Sequence, residues 1–167
     1  MDSKVSFQEK EIMEKFQLKT FQPQYAKAFY ELNKNWIEEY WELEQSDLND
    51  LLNPIKSVIE KGGEIFFILH KEVIIGTAAM IPLDNRIMEL AKMTIHVNYR
   101  GLGLSKILLS QCISYAKNEK MKEIFLISNS KLKAARNLYD IFNFKEVPLD
   151  SKKYLRGDYK MLLKVED

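Results

Sequence analysis

The chain is poor in the residues that usually announce chemistry. Among its 167 residues are one cysteine, two histidines, four prolines and six glycines. The single thiol, Cys112, cannot close an intramolecular disulfide, which excludes disulfide-stapled folds and fits a reducing, cytoplasmic setting. His70, His96 and Cys112 stand far apart, and no His/Cys/Asp group has metal-ligand spacing, so no metal is expected. The balance of 25 basic and 24 acidic residues leaves a net charge of +1. No global field invites nucleic acid or an anionic membrane surface, and neither is expected as a partner. No apolar run approaches the roughly 20 residues that span a bilayer. The first stretch, "MDSKVSFQEKEIMEKFQ", is broken by charges throughout and does not read as a secretory signal. Repeats, low-complexity tracts and Pro/Gly/Ser linkers are likewise missing. The expectation is one soluble domain over residues 1–167, with its core at about 16–165.

What is present is hydrophobic periodicity that changes along the chain. "FQLKT" (16–20) suits a short strand, and Pro23 sits where the first turn of a helix tolerates it. Tyr25, Phe29, Leu32 and Trp36 follow at amphipathic spacing. "NPIKSVIEKGG" reads as a second helix, with Asn53 as cap, Pro54 at its first position and Gly62 or Gly63 ending it. "EIFFIL" and "VIIGTAAMI", parted at His70-Lys71-Glu72, read as two antiparallel strands, and Ile87–Val97 as a third long one. A widely striped helix from about Leu104 to Lys117 carries Leu104, Leu108, Cys112 and Tyr115, with Cys112 read as a small core hydrophobe. "EIFLIS" (123–128) is an apolar interior strand, so Ile87–Ser128 forms a βαβ-like crossover. A further helix, capped by Asn129 or Ser130, turns Leu132, Ala135, Leu138, Tyr139 and Phe142 inward. "FKEVPL" and "YKMLLKV" close the chain as strands. The fold class is α/β (α+β): a mixed, mostly antiparallel sheet of about seven strands with helices on both faces.

The chemistry concentrates at "RGLGLS", Arg100–Ser105. A loop between a strand and a helix N-terminus offers unpaired backbone N–H groups and the positive end of the helix dipole, which together suit phosphate. Glycine lets the backbone approach closely. A P-loop needs Lys-Ser/Thr after its last glycine, and here Leu104-Ser105-Lys106 follow Gly103. A dinucleotide fingerprint needs a third glycine where Lys106 stands. The pattern that fits is Arg/Gln-x-x-Gly-x-Gly/Ala.

That loop sits in "MTIHVNYRGLGLSKILLSQCISYAK". Together with "FLISNSKLKAARNLYDIFNFKEV" and the strand order, it resembles the GCN5-related N-acetyltransferase (GNAT) superfamily over about Phe16–Val165, in particular its small single-domain bacterial-type members. The resemblance implies acetyl-CoA as co-substrate, bound where the fourth and fifth strands splay apart. Met93 and Ile95 would meet the pantetheine arm through their main chains. The amides of Arg100, Gly101, Leu102, Gly103, Leu104 and Ser105 would hold the pyrophosphate, with Asn129 joining the cofactor set. Glu89, eleven residues before Arg100, matches a position where relatives carry a catalytic glutamate. It would act as base, through water, on an amine whose free pKa is about 10.4. Tyr139 would be the acid near the CoA sulfur. On residue type alone, Glu89 also suits a salt-bridged strand position and Tyr139 a core position. Three positions depart from the family's pattern: Ser105 in place of Gly/Ala, Leu132 in place of Asn, and Asn143 in place of Gly. They keep open a non-catalytic acyl-CoA-binding or protein-interaction module, and a transferase with another acyl donor or an oxygen acceptor stands as a separate alternative.

The resemblance places the acceptor, a small-molecule or peptide amine, beside the first helices, at "NWIEEYWELEQSD". Glu38, Glu39, Glu42, Glu44 and Asp47 suit a cationic amine, and Trp36, Tyr40 and Trp41 suit its body. A solvated acidic helix face with core aromatics is the competing reading. A homodimer through sheet edges or "YKMLLKV" and a monomer stand equally.

Overall fold

The computed structural model describes residues 10–11, 14–150 and 153–166. Its elements are β1 (Phe16–Thr20), α1 (Ala26–Glu38), α2 (Gln45–Leu51), β2 (Glu64–His70), β3 (Val73–Leu83), β4 (Ile87–Ile95), α3 (Leu104–Asn118), β5 (Glu123–Ser128), α4 (Lys133–Ile141), β6 (Lys145–Val147) and β7 (Tyr159–Lys164). They build a seven-stranded sheet in the order β1-β2-β3-β4-β5-β7-β6. Only the β4–β5 pair is parallel, joined through α3 as the crossover pattern predicts.

Side chains alternate along the central strands. Ile65, Phe67, Leu69, Ala79 and Ile81 go to one face, where Tyr25, Phe29 and Leu51 meet them. Phe66, Ile68, Ala78 and Met80 go to the other, beneath Leu104, Leu108, Leu109, Cys112 and Ala116 of α3 and Leu138 and Tyr139 of α4. Helices therefore cover both faces, as predicted.

Two helix starts differ from the sequence reading. The helix expected from Asn53 is divided. α2 already begins at Gln45, because Glu44 and Asp47 cap each other's backbone reciprocally. It stops before Asn53, since a residue preceding proline is pushed out of the helical region. After Pro54 the chain makes one π-helical turn, Ile55–Ile59, and Asn53 supplies no side-chain cap. α4 begins at Lys133, not beside Asn129 or Ser130. Those two residues are taken by a separate turn: Asn129 Oδ1 accepts from Lys131 N at 2.8 Å, while Ser130 donates from both N and Oγ to Asp158, at 2.9 and 2.6 Å. Asn143 has φ 68, the left-handed turn that asparagine tolerates best among residues with a Cβ.

Two irregularities in β4 shape everything downstream. Its parallel ladder with β5 ends after Glu89↔Phe125. Beyond that point β4 stays on β3 as far as Ile95, and β5 stays on β7 as far as Ser128. The strands thus part in the middle of the sheet. The β3–β4 register also slips between Thr77 and Ala79, so that Lys92 and Met93 together oppose Ala78. This is a β-bulge, and Lys92 carries φ 56 within it.

Phe67 is fully buried and meets the rings of Phe21, Tyr25 and Phe29 at 6.4, 5.1 and 6.5 Å. Phe67→Ala is expected to lower unfolding stability by about 3–5 kcal/mol in urea titration.

Candidate active site

Where β4 and β5 part, a cleft of about 720 Å³ opens, within the usual range for small-molecule sites. One wall is the end of β4 (Leu90–Ile95), the other is β5 (Leu126–Ser128) followed by α4. Past their ladder, the facing edges of both strands carry main-chain groups without strand partners, which a ligand rich in amides can pair with. Met93 and Ile95 line this wall.

The glycine loop lies at the mouth. Gly101 has φ 81, and Gly103, the N-cap of α3, has φ 82 and ψ 11. Only glycine takes that conformation readily. A Cβ on Gly101 would meet no protein atom within 4 Å, so the backbone there is open to an approaching group. Arg100, Gly101, Gly103, Leu104 and Ser105 all line the cleft, whereas Leu102 is exposed and forms no part of it. Among the described residues, no group hydrogen-bonds the Ser105 hydroxyl, so it is free to donate to a ligand at the helix terminus. Lys106, Lys131 and Lys133 add positive charge along the same cleft. Arg100 is held by its Nε, which donates to Ile95 O at 3.2 Å, and its Nη2 lies 3.6 Å from Glu39 Oε1.

Tyr139 lines the inner end from α4, its ring 5.8 Å from that of Phe144. Burial pushes its hydroxyl pKa well above the ordinary tyrosine value, so it stays protonated. Asn129 is in the lining, but its side chain is engaged: Nδ2 donates to Arg156 O at 2.7 Å and Oδ1 serves Lys131 N. Glu89 is on β4 just where the ladder ends, and it does not line the cleft. Its carboxylate is buried, with Oε1 2.9 Å from Lys153 Nζ and Oε2 3.4 Å from the hydroxyl of Tyr154, which does line the cleft. The salt-bridged reading of Glu89 therefore describes its present contacts.

Between β4, α2 and the segment before β7 lies a buried ion cluster. Four carboxylates, Glu44, Asp47, Asp50 and Glu89, face three cations, Lys92, Lys153 and Arg156. Lys92 Nζ is 2.5 Å from Asp47 Oδ1 and 4.4 Å from the centre of the Tyr154 ring. Arg156 grips Asp47 with Nη1 at 2.6 Å and Nη2 at 2.8 Å, and reaches Glu44 Oε2 at 3.0 Å. Lys153 bridges Asp50 and Glu89, at 2.9 Å each. Leu155 N donates to Glu44 Oε1 at 2.6 Å. Burial by itself would raise the pKa of Asp47. The Arg156 hydrogen bonds and the Lys92 charge and hydrogen bond more than offset that, and bring it to about 2. For Lys92 burial wins over Asp47 and lowers the pKa. Sequence reasoning missed Lys92, Tyr154 and Arg156. A lysine inside the apolar run "ELAKM" was the one visible sign, and nothing marks Arg156 in "YLRGDY".

Residues 11–144 match the sequence profile of the Acetyltransferase (GNAT) family, and the chain belongs to that family. It is 23% identical over 108 residues to human N-acetyltransferase 8B, a match covering 61% of this chain and 46% of that protein. The chain thus spans about half the length of that relative. An acetyltransferase of the GNAT family from Staphylococcus aureus Mu50 has the same fold, with a TM-score of 0.83 at 22% identity over 90% of this chain and 99% of the other. The structure of yncA from Salmonella typhimurium with its cofactor acetyl-CoA gives 0.75 at 17% identity, covering 92% and 95%. Both likenesses fall in the range where fold, and not substrate, is shared.

The ion cluster makes acid stability specific. Asp47 titrates near 2 when folded and near 3.8 when free, so its depressed pKa stabilises the fold fully above pH 4, and that contribution is lost as pH falls through 4 toward 2. The loss is about 2 kcal/mol. Asp47→Asn is expected to remove this part of the acid limb in pH-dependent urea titrations. At pH 7 it should lower stability by about 3–5 kcal/mol, because Lys92 and Arg156 lose their shared counter-ion.

Proposed function

We propose that this chain is an acetyl-CoA-dependent N-acetyltransferase that passes the acetyl group directly to a primary amine within a ternary complex. The observation that carries the reading is the coincidence of the parted β4 and β5 edges with the glycine loop at their mouth. The free strand edges suit the amides of a pantetheine arm. The left-handed glycines, the first-turn amides of α3, the Ser105 hydroxyl and the Arg100 guanidinium suit a pyrophosphate. A single buried thiol fits a cytoplasmic setting.

In the reaction so proposed, the amine nitrogen bonds to the thioester carbon and the carbon–sulfur bond breaks. Tyr139 gives its phenolic proton to the departing sulfur and recovers one from solvent. A main-chain N–H of the bulged β4 segment stabilises charge on the carbonyl oxygen. Glu89 acts as base at one remove: a water passes the amine's proton to the Tyr154 hydroxyl while that hydroxyl gives its own to Glu89. Burial and the neighbouring Glu89 charge raise the Tyr154 pKa, so its hydroxyl hands a proton on and does not remain a phenolate.

Titration calorimetry should show acetyl-CoA binding at micromolar strength, with thiol release once an amine is supplied. Absence of heat and of any shift in thermal unfolding would sink the reading. Binding without thiol release across amines and alcohols would leave an acyl-CoA-binding module. Tyr139→Phe is expected to lower kcat at least tenfold with little change in the acetyl-CoA KM. Glu89→Gln and Tyr154→Phe should each lower kcat 10²–10⁴-fold, and together no more than either alone, as members of one relay do. Unchanged turnover in both single variants would remove the relay and leave the family.

A further inference from the structure

Trp36, Tyr40 and Trp41 are three large rings that neither hydrophobic core takes in. They line the acceptor side of the cleft with Glu39. Trp36 and Trp41 meet edge to face at 6.4 Å and 87°, and Tyr40 leans on Trp41 at 5.4 Å, leaving Tyr40 56% exposed. The wall is held in shape. Asn33 is fully buried, donates to Phe29 O at 2.9 Å and accepts from Trp36 Nε1 at 3.0 Å, which fixes the indole plane. A buried polar side chain spent on orienting a partly exposed tryptophan suits a binding surface better than a stray surface ring.

The charges beside the wall are unequal in what they leave open. Asp47, Asp50, Glu44 and Glu89 all have cationic partners within 3.0 Å and do not line the cleft. Glu39 does line it, and among the described residues its one partner is Arg100, at 3.6 Å with both side chains over 40% exposed. Lys92 and Arg156 also line the cleft, but their charges are spent on Asp47 and Glu44, and their side chains are only 2% and 10% exposed. A second ammonium or a carboxylate reaching this end of the cleft would find every charge there already paired.

Resting on the N-acetyltransferase reading, we infer that the acceptor is an arylalkyl monoamine. Its ring packs in the corner of Trp36, Tyr40 and Trp41, and its single ammonium is drawn in by Glu39 before losing a proton to react. Polyamines and free α-amino acids are the disfavoured classes. A pyrophosphate at Arg100 would draw that guanidinium away from Glu39, so donor binding and acceptor attraction cooperate.

Trp36 and Trp41 are the only tryptophans in the chain, so intrinsic fluorescence reports this wall directly. The experiment titrates 2-phenylethylamine, spermidine and glycine into the CoA-bound protein, and follows thiol release from acetyl-CoA with the same three amines. Support would be a saturable fluorescence change with 2-phenylethylamine alone, together with a kcat/KM at least tenfold above the other two. Preference for spermidine or glycine would overturn the inference and leave the transferase reading standing. A saturable change without thiol release would keep the wall as an amine site and overturn the transferase reading, while no change and no release would overturn both. Glu39→Gln should raise the amine KM about tenfold while the acetyl-CoA KM stays level or falls, because Arg100 is released. An unchanged amine KM in that variant would also overturn the inference.

Discussion

The parting of β4 from β5 after Glu89 and Phe125 is the constraint on which the rest of the molecule depends. A parallel pair opened in mid-sheet leaves main-chain donors and acceptors facing each other across a gap, and in a folded protein such groups need partners. Each strand is secured on its far side, β4 by β3 and β5 by β7, so the gap persists and the sheet does not re-zip. The bulge at Lys92–Met93 turns β4 at the same place. The glycine loop follows at the end of that strand and starts α3, whose N-terminus faces the gap's mouth. One break in one ladder thus creates both the amide-lined wall and the glycine-lined mouth.

The buried ion cluster keeps this opening in register. Lys92 has φ 56, a conformation that a non-glycine residue holds only when its surroundings impose it. Here the ammonium is tied to Asp47, and Asp47 to Arg156, joining β4, α2 and the segment before β7. Desolvating such groups is expensive, and their attraction offsets it only when every member is satisfied. Its value lies in position. It sets residues 153–157 against the cleft and holds Tyr154 between Glu89 and that opening.

Most of the fold was legible because it rests on local periodicity. The strands at 64–70, 73–83, 87–95 and 123–128 carry β-branched and aromatic runs, and α3 carries a wide apolar stripe. The misreadings came where side chains competed for backbone groups. Glu44 and Asp47 start a helix that Asn53-Pro54 appeared to own, and Asp158 claims the turn at Ser130 that looked like a cap. In the acidic-aromatic stretch, the reading of a solvated face with core aromatics is corrected at several residues. Glu44 and Asp47 are inward ion-pair partners, Glu39 lines the cleft, and the rings belong to no core.

By itself the sequence determined the element types, the βαβ crossover and the loop at Arg100–Ser105. Spacing of apolar residues and the conformational needs of glycine act over a few residues. The family resemblance, carried by its motifs, supplied the expectation of a CoA site. Tertiary structure alone decided which charges are free and which are paired. Glu89 meets Lys153 across 64 residues, and Asp47 meets Arg156 across 109. A carboxylate's chemistry depends on what stands within a few ångströms of it, and chain order does not state that distance.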